Sequence, residues 1–111
     1  MREVLPYRRD AETFSLSFAG EKYHVTVGRY PDGRAGEMFI NRVRDKAAAK
    51  LGQQLDGVCR DGAILLSLAL QHGVDLETVR HALTRDEFNQ PATIIGAIVT
   101  ALSAELTETV A

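Results

Sequence analysis

A chain of 111 residues and 12.2 kDa has room for one domain with its own hydrophobic core and none for a second. With 45% hydrophobic and 25% charged residues it is not an intrinsically disordered sequence, and a net charge of -2 with a pI of about 5.9 argues against a dedicated nucleic-acid binder. A single cysteine, Cys59, rules out an internal disulfide and any multi-cysteine zinc site, and every apolar run is broken well short of the roughly 18 residues a membrane helix needs.

Residues 1–12 read as a polar arm, partly ordered at most, with Leu5 and Tyr7 as its only anchors; basic residues without an apolar stretch behind them are not expected to act as a secretory signal. From residue 13 the pattern has a period of two. Phe14, Leu16 and Phe18 alternate with Thr13, Ser15 and Ser17, and after a turn at 20–22 Tyr23, Val25 and Val27 alternate with His24 and Thr26, so the two runs predict a hairpin. Tyr30-Pro31-Asp32-Gly33 is a turn in which proline presets one dihedral and glycine accepts a positive φ. A third strand over 36–40 completes an antiparallel meander; Phe39 is out of phase with Met38 and Ile40, which implies either two apolar faces or a bulge.

Residues 41–52 form a basic, alanine-rich connector with a helical turn expected at 47–50. The main helix is expected over 54–72 with Leu55, Val58, Cys59, Leu65, Leu66, Ala69 and Leu70 buried. Only Ser67 is polar between residues 63 and 70, which predicts a helix surrounded by protein and acting as hub of the core. Gly73 ends it, Asp75 caps the next helix, and Leu76, Val79 and Leu83 form that helix's buried stripe. Pro91 is expected at the start of the last helix, whose apolar face is Ile95, Ile98, Val99, Leu102 and Leu106. A ridge of small residues, Ala92, Gly96, Thr100 and Ala104, suits close approach of another helix, belonging to this chain or to a second copy. The expected fold is therefore α+β: a polar arm at 1–12, then one domain at 13–111 in which a three-stranded antiparallel meander is followed by three helices packed on one sheet face.

The strings TVGRYPDGRAGEMFI (26–40) and KLGQQLDGVCRDGAILLSLALQHGVDLETVRHALTR (50–85) resemble the TSCPD-domain family, found as a C-terminal segment of adenosylcobalamin-dependent (class II) ribonucleotide reductases and as short stand-alone proteins. The likeness runs from about residue 5 to 96 and is most specific at DGAILLSLALQHGV. It implies a reductase-related accessory domain with no established activity for the stand-alone form. The Thr-Ser-Cys-Pro-Asp motif itself is absent, so no thiol or metal role carries over through it.

The chemical inventory is thin. Reductase catalysis needs several cysteines and a cofactor-binding barrel, and neither is present. Cys59 sits beside apolar positions with Arg60 and Asp61 cancelling, which describes an inert buried thiol. His24, His72 and His81 lack metal-ligand spacing. The glycines of GRYPDGRAG lack the helix and the Lys-Ser/Thr of a phosphate loop, and the helix pair around Gly73 carries too few cations to read DNA. No catalytic, cofactor-binding or metal-binding residue is assigned.

Charge is unevenly spread, with ten Lys/Arg against seven Asp/Glu in residues 1–50 and three against eight in 51–111. The expected function is a non-catalytic accessory or regulatory interaction module in the cytoplasm, partnered by a second copy or by a ribonucleotide reductase. The alternative is nucleotide or nucleic-acid binding through a basic edge of Arg29, Arg34, Arg42 and Arg44 with Tyr30 as a stacking aromatic.

Overall fold

The computed structural model describes residues 1–43 and 52–110; Arg44 and the turn expected at 47–50 lie outside the described residues. Strand β1 (Ala11–Phe18), β2 (Glu21–Arg29) and β3 (Ala35–Arg42) form an antiparallel sheet in the order β1-β2-β3. Helices α1 (Gln53–Gln71), α2 (Leu76–Ala82) and α3 (Ile94–Val110) follow, giving the α+β class expected from the residue pattern. The chain divides into two compact units, Met1–Gly73 and Val74–Ala111.

In the first unit, alternation decides which side of the sheet is dry. Tyr23, Val25, Val27, Met38 and Ile40 are buried, and Phe14 and Leu16 of β1 stand opposite Val25 and Tyr23. The other face is wet: Thr13 and Thr26 share a hydroxyl hydrogen bond of 2.9 Å, and Ser15 meets His24 Nδ1 at 3.2 Å. Phe39 lies on this open face opposite Thr26, about half exposed, so β3 carries an apolar residue on each side. The strand carries a bulge as well: Gly28 pairs with Glu37 and Arg29 with Ala35, so Gly36 is the extra residue, in β3.

The β1–β2 connection is tighter than the expected turn at 20–22. Phe18 pairs with Glu21, leaving Ala19 (φ 50°) and Gly20 (φ 81°) as a two-residue turn with both φ angles positive. That geometry matches the twist of a hairpin and favours Asn-Gly; alanine adopts it at a cost.

Helix α1 packs along β3. Its buried residues Cys59, Ala63, Leu66 and Leu70 repeat at four, three and four positions and form one stripe. Leu55, Val58, Ile64, Leu65 and Leu68 are exposed, with Leu65 at 68%. The helix is thus apolar on both sides but buried on one, which corrects the expectation of a helix enclosed by protein. A run this apolar has no phase from which to tell the inner face from the outer one.

Two polar side chains of α1 fasten it to β3. Ser67 Oγ accepts from Met38 N at 2.9 Å and donates to Ala63 O at 2.7 Å, while Gln71 Nε2 donates to Gly36 O at 2.9 Å. Both β3 groups belong to the sheet's outer edge. Four helical residues advance about 6 Å and two strand residues about 6.6 Å, so side chains one turn apart meet alternate backbone groups in an antiparallel arrangement.

In the second unit, Asp75 Oδ1 caps α2 by accepting from Thr78 N at 2.7 Å, and this hydrogen bond holds the Asp75 carboxyl below the usual carboxylate range. Leu76, Val79 and Leu83 are half-buried, and α2 packs against α3. Helix α3 begins three residues later than proline alone implies. Thr93 Oγ1 accepts from Gly96 N at 3.2 Å and so caps it, while Pro91 forms a β-bridge with Arg85. Ile94, Ile98, Val99 and Leu102 are buried.

Replacing Ala19 by asparagine creates the preferred Asn-Gly pair at the first turn. Urea unfolding of A19N is expected to show a gain of about 0.5–1 kcal/mol with the m-value unchanged.

Candidate functional site

The described arginines of the expected basic edge, Arg29, Arg34 and Arg42, are held by carboxylates. Arg29, at the end of β2, binds Glu12 through Nε and a terminal nitrogen and donates to Gly33 O at 3.0 Å. Arg34 donates to Asp32 Oδ2 at 2.7 Å and to both Glu3 oxygens at 3.0 Å, with its guanidinium 4.6 Å from the centre of the Tyr30 ring. Arg42 is different in kind: its side chain is only 6% exposed and reaches Asp56 Oδ1 at 2.9 Å and Glu21 Oε2 at 3.3 Å. The Asp56 hydrogen bond is the largest cause of the rise in the Arg42 pKa, so this cation is permanent.

Arg29, Arg34 and Tyr30 gather at the β2–β3 turn. Arg42 stands at the far end of β3, seven residues from Ala35, about 23 Å along an extended strand. Among the described residues the structure therefore brings Arg29, Arg34 and Tyr30 together and separates Arg42 from them; Arg44 lies outside the described residues. Arg42 links β3 and β2 to the first turn of α1, and its closeness explains Gly52: with φ 79°, a Cβ there would also lie 2.5 Å from the Arg42 guanidinium.

The arm before β1 contributes residues that pattern reading did not connect to the turn. Glu3 N donates to Gln71 O at 2.7 Å, Arg2 Nε donates to Gln71 Oε1, and Tyr30 Oη donates to Glu3 O. Leu5 packs near Gly36, whereas Tyr7 is fully exposed. Burial raises the Tyr30 pKa, which keeps its hydroxyl a donor. An isolated polar arm has no periodicity, so only the accepting groups on α1 and β2 reveal where it lies.

Beside this arm is an open cleft of about 340 Å³ lined by Pro6, Arg8, Arg9, Asp10, Arg29, Tyr30 and Pro31. Arg9 is paired with Glu37 at 2.5 Å and donates to Pro6 O at 2.7 Å. Among the described residues Arg8 has no carboxylate within ion-pair distance.

Cys59 is 2% exposed, and its thiol pKa is raised, first by burial and then by Asp56, with Arg42 opposing. The three histidines are dispersed: His24 meets Ser15, His72 Nδ1 lies 2.8 Å from Leu68 O, and His81 Nε2 lies 3.1 Å from Glu77. Among the described residues no group of three His, Cys, Asp or Glu could hold a metal ion, and no helix is long and apolar enough to cross a membrane.

The small-residue ridge is not one helical row. Ala92 is exposed and precedes α3; Gly96 is buried, and a Cβ there would meet Pro91 Cβ at 3.3 Å, in the loop that enters the helix. Thr100 Oγ1 donates back to Gly96 O at 2.8 Å. The side chain of Ala104 lies outside the described residues.

The TSCPD domain family model matches residues 4–106. The chain belongs to the TSCPD-domain family. Among its relatives are vitamin B12-dependent ribonucleotide reductases from Rhodopirellula baltica, 39% identical over 87 residues (78% of this chain, 8% of the relative), and Agrobacterium fabrum, 36% identical over 94 residues (85% and 7%). The enzyme of the same description from Streptantibioticus cattleyicolor is 34% identical over 92 residues, covering 83% of this chain and 14% of the relative. The chain thus spans only a small fraction of the curated relatives it matches. No solved structure matches it.

Burial and a raised pKa should make Cys59 unreactive in the folded TSCPD domain. Native protein treated with a chromogenic disulfide reagent at pH 8 is expected to react on the order of 100-fold more slowly than the urea-unfolded chain.

Proposed function

We propose that this TSCPD domain is a non-catalytic accessory module, related to the corresponding segment of B12-dependent ribonucleotide reductases, that works by binding protein through the exposed face of α1. The observation that carries this reading is the exposure of Val58, Ile64, Leu65 and Leu68 on a helix whose opposite face is packed against β3. Contiguous exposed apolar residues of this kind mark interaction sites on soluble proteins. The fixed pairing of Arg29, Arg34 and Arg42 and the burial of Cys59 support the same reading, since these groups serve the fold. A buried thiol suits the reducing cytoplasm, where an accessory domain of a reductase would act.

Capture from source-cell extract with wild-type and Leu65→Lys baits tests the proposal. The wild-type bait is expected to recover a reductase or its own untagged copy, and the variant at least about tenfold less. Equal recovery by both baits, with both folded by circular dichroism, would falsify docking through this face.

One observation favours a second reading, nucleotide or nucleic-acid binding: the cleft beside Tyr30 is lined by three arginines, and Arg8 among them has no carboxylate partner among the described residues. Its weakness is charge, because Glu12 and Glu37 already occupy Arg29 and Arg9. Titration with a nucleotide and an oligonucleotide at low and physiological salt separates the readings. Binding that weakens as salt rises and is lost in Arg8→Ala supports it, and no binding at low salt ends it.

A further inference from the structure

We infer that the free edge of β1 takes up an extended segment of a partner protein, paired antiparallel, with apolar side chains opposite Phe14 and Leu16 and a basic one opposite Glu12. This edge lies across the sheet from β3 and α1, so the inference does not depend on docking through the α1 face.

The two edges of the sheet are left in different states. Arg29 N donates to Asp10 O, so in the β1–β2 register the hydrogen-bonded pairs fall at every second residue, through Glu12–Val27, Phe14–Val25, Leu16–Tyr23 and Phe18–Glu21. The N–H and C=O groups of Ala11, Thr13, Ser15 and Ser17 therefore point away from β2. These residues are exposed, and among the described residues no hydrogen bond reaches those backbone groups. On β3, by contrast, Ser67 and Gln71 take the outward groups of Met38 and Gly36. Edge strands are ordinarily protected by proline, lysine or a bulge. Strand β1, AETFSLSF, has none of these: its register with β2 is unbroken from Ala11 to Phe18, and its one charged residue is Glu12.

An open row of alternating backbone donors and acceptors is matched by another extended backbone, which fixes the conformation of the occupant. Its side chains follow from the two faces of β1. Phe14, Leu16 and Phe18 stand on the dry face yet are only half-buried, while Tyr23, Val25 and Val27 beside them on β2 are 2%, 0% and 0% exposed. Apolar residues on an added strand complete that cover. Thr13, Ser15 and Ser17 face water and suit small polar neighbours. Arg29 binds Glu12 through Oε1, and among the described residues nothing reaches Oε2, which suits a lysine or arginine at that end. Glu12 also decides against a second copy. Antiparallel pairing of β1 with itself puts Glu12 opposite Phe14, Leu16 or Phe18 in every register that engages three or more of the outward-facing residues, and a carboxylate set against an apolar side chain is costly.

The probe is the peptide Val-Thr-Val-Thr-Val-Thr-Lys-Thr, whose antiparallel register sets its valines opposite Phe18, Leu16 and Phe14 and its lysine opposite Glu12. In that arrangement the threonine N–H groups face β1 and the valine N–H groups face away. Titration of the full chain, followed by amide hydrogen exchange, is expected to give a dissociation constant on the order of 10–100 µM and to slow exchange at Thr13, Ser15 and Ser17 at least about tenfold. A peptide N-methylated at the valines opposite Leu16 and Phe14 is expected to bind like the parent, and one N-methylated at the threonines opposite Ser15 and Thr13 at least about tenfold more weakly. Glutamate in place of the lysine is expected to weaken binding about threefold, and less at high salt. Ser15→Pro removes one outward N–H and leaves the β1–β2 hydrogen bonds in place, so it is expected to bind at least about tenfold more weakly, while Ser15→Thr and Leu65→Lys bind as the wild type does. The methylated pair needs no variant of the protein and decides the matter even where Ser15→Pro does not fold. No binding of the parent peptide, or equal or reversed affinities of the two methylated peptides, overturns the proposal. A dimer of the full chain in sedimentation that Ser15→Pro dissociates overturns the choice of a partner protein over a second copy.

Discussion

Strand β3 forms one edge of a three-stranded sheet, and the closure of α1 over that edge is the constraint from which the rest of the first unit follows. An edge strand offers unpaired N–H and C=O groups that invite another chain to pair with it. Here Ser67 takes the Met38 N–H and Gln71 serves the Gly36 carbonyl. Ser67 and Gln71 are one helical turn apart and the strand groups two residues apart, so the match fixes the direction of the helix along the strand. It also fixes rotation: with Ser67 and Gln71 turned to the edge, Cys59, Ala63, Leu66 and Leu70 face inward and Val58, Leu65 and Leu68 face out.

The charged groups reinforce the same arrangement. Arg42 joins the end of β3 to Asp56 in the first turn of α1 and to Glu21 at the start of β2, clamping the helix at its N-terminal end. At the other end Gln71 is shared by Arg2, Glu3 and Gly36, so the N-terminal arm closes over the point where α1 and β3 meet. Arg29, Arg34 and Arg42, which pattern reading gathered into one basic edge, are thus divided between two ends of the strand, each with carboxylate partners. Their chemistry serves orientation, which leaves the apolar outer side of α1 as the most distinctive feature without a partner among the described residues of its own unit.

Much of this was legible from residue order. The alternation in 13–18 and 23–27, the Pro-Asp-Gly turn, Asp75 as a cap and Gly73 as a stop all fall where the structure has them. The likeness of residues 50–85 to TSCPD domains agrees with a family match covering most of the chain. Three things were hidden, each for a physical reason. The inner face of α1 could not be told from the outer, because hydrophobicity alone marks a residue as able to be buried, not as buried. The late start of α3 depends on Thr93 capping with its own hydroxyl while Pro91 is drawn into a bridge with Arg85, a competition settled by tertiary pairing. The placing of the arm depends on hydrogen bonds between residues nearly seventy positions apart in the chain, such as Arg2 to Gln71, which no local pattern encodes.

The central claim is that one side of α1 is sealed against the sheet while the other is open to a partner. Hydroxyl-radical footprinting, read residue by residue, tests it most directly. In dilute protein Leu65 and Ile64 are expected to be oxidised readily and Leu66 and Leu70 protected. Protection of Leu65 and Leu66 alike in dilute protein would show that the chain covers both sides of the helix itself, and would contradict the account.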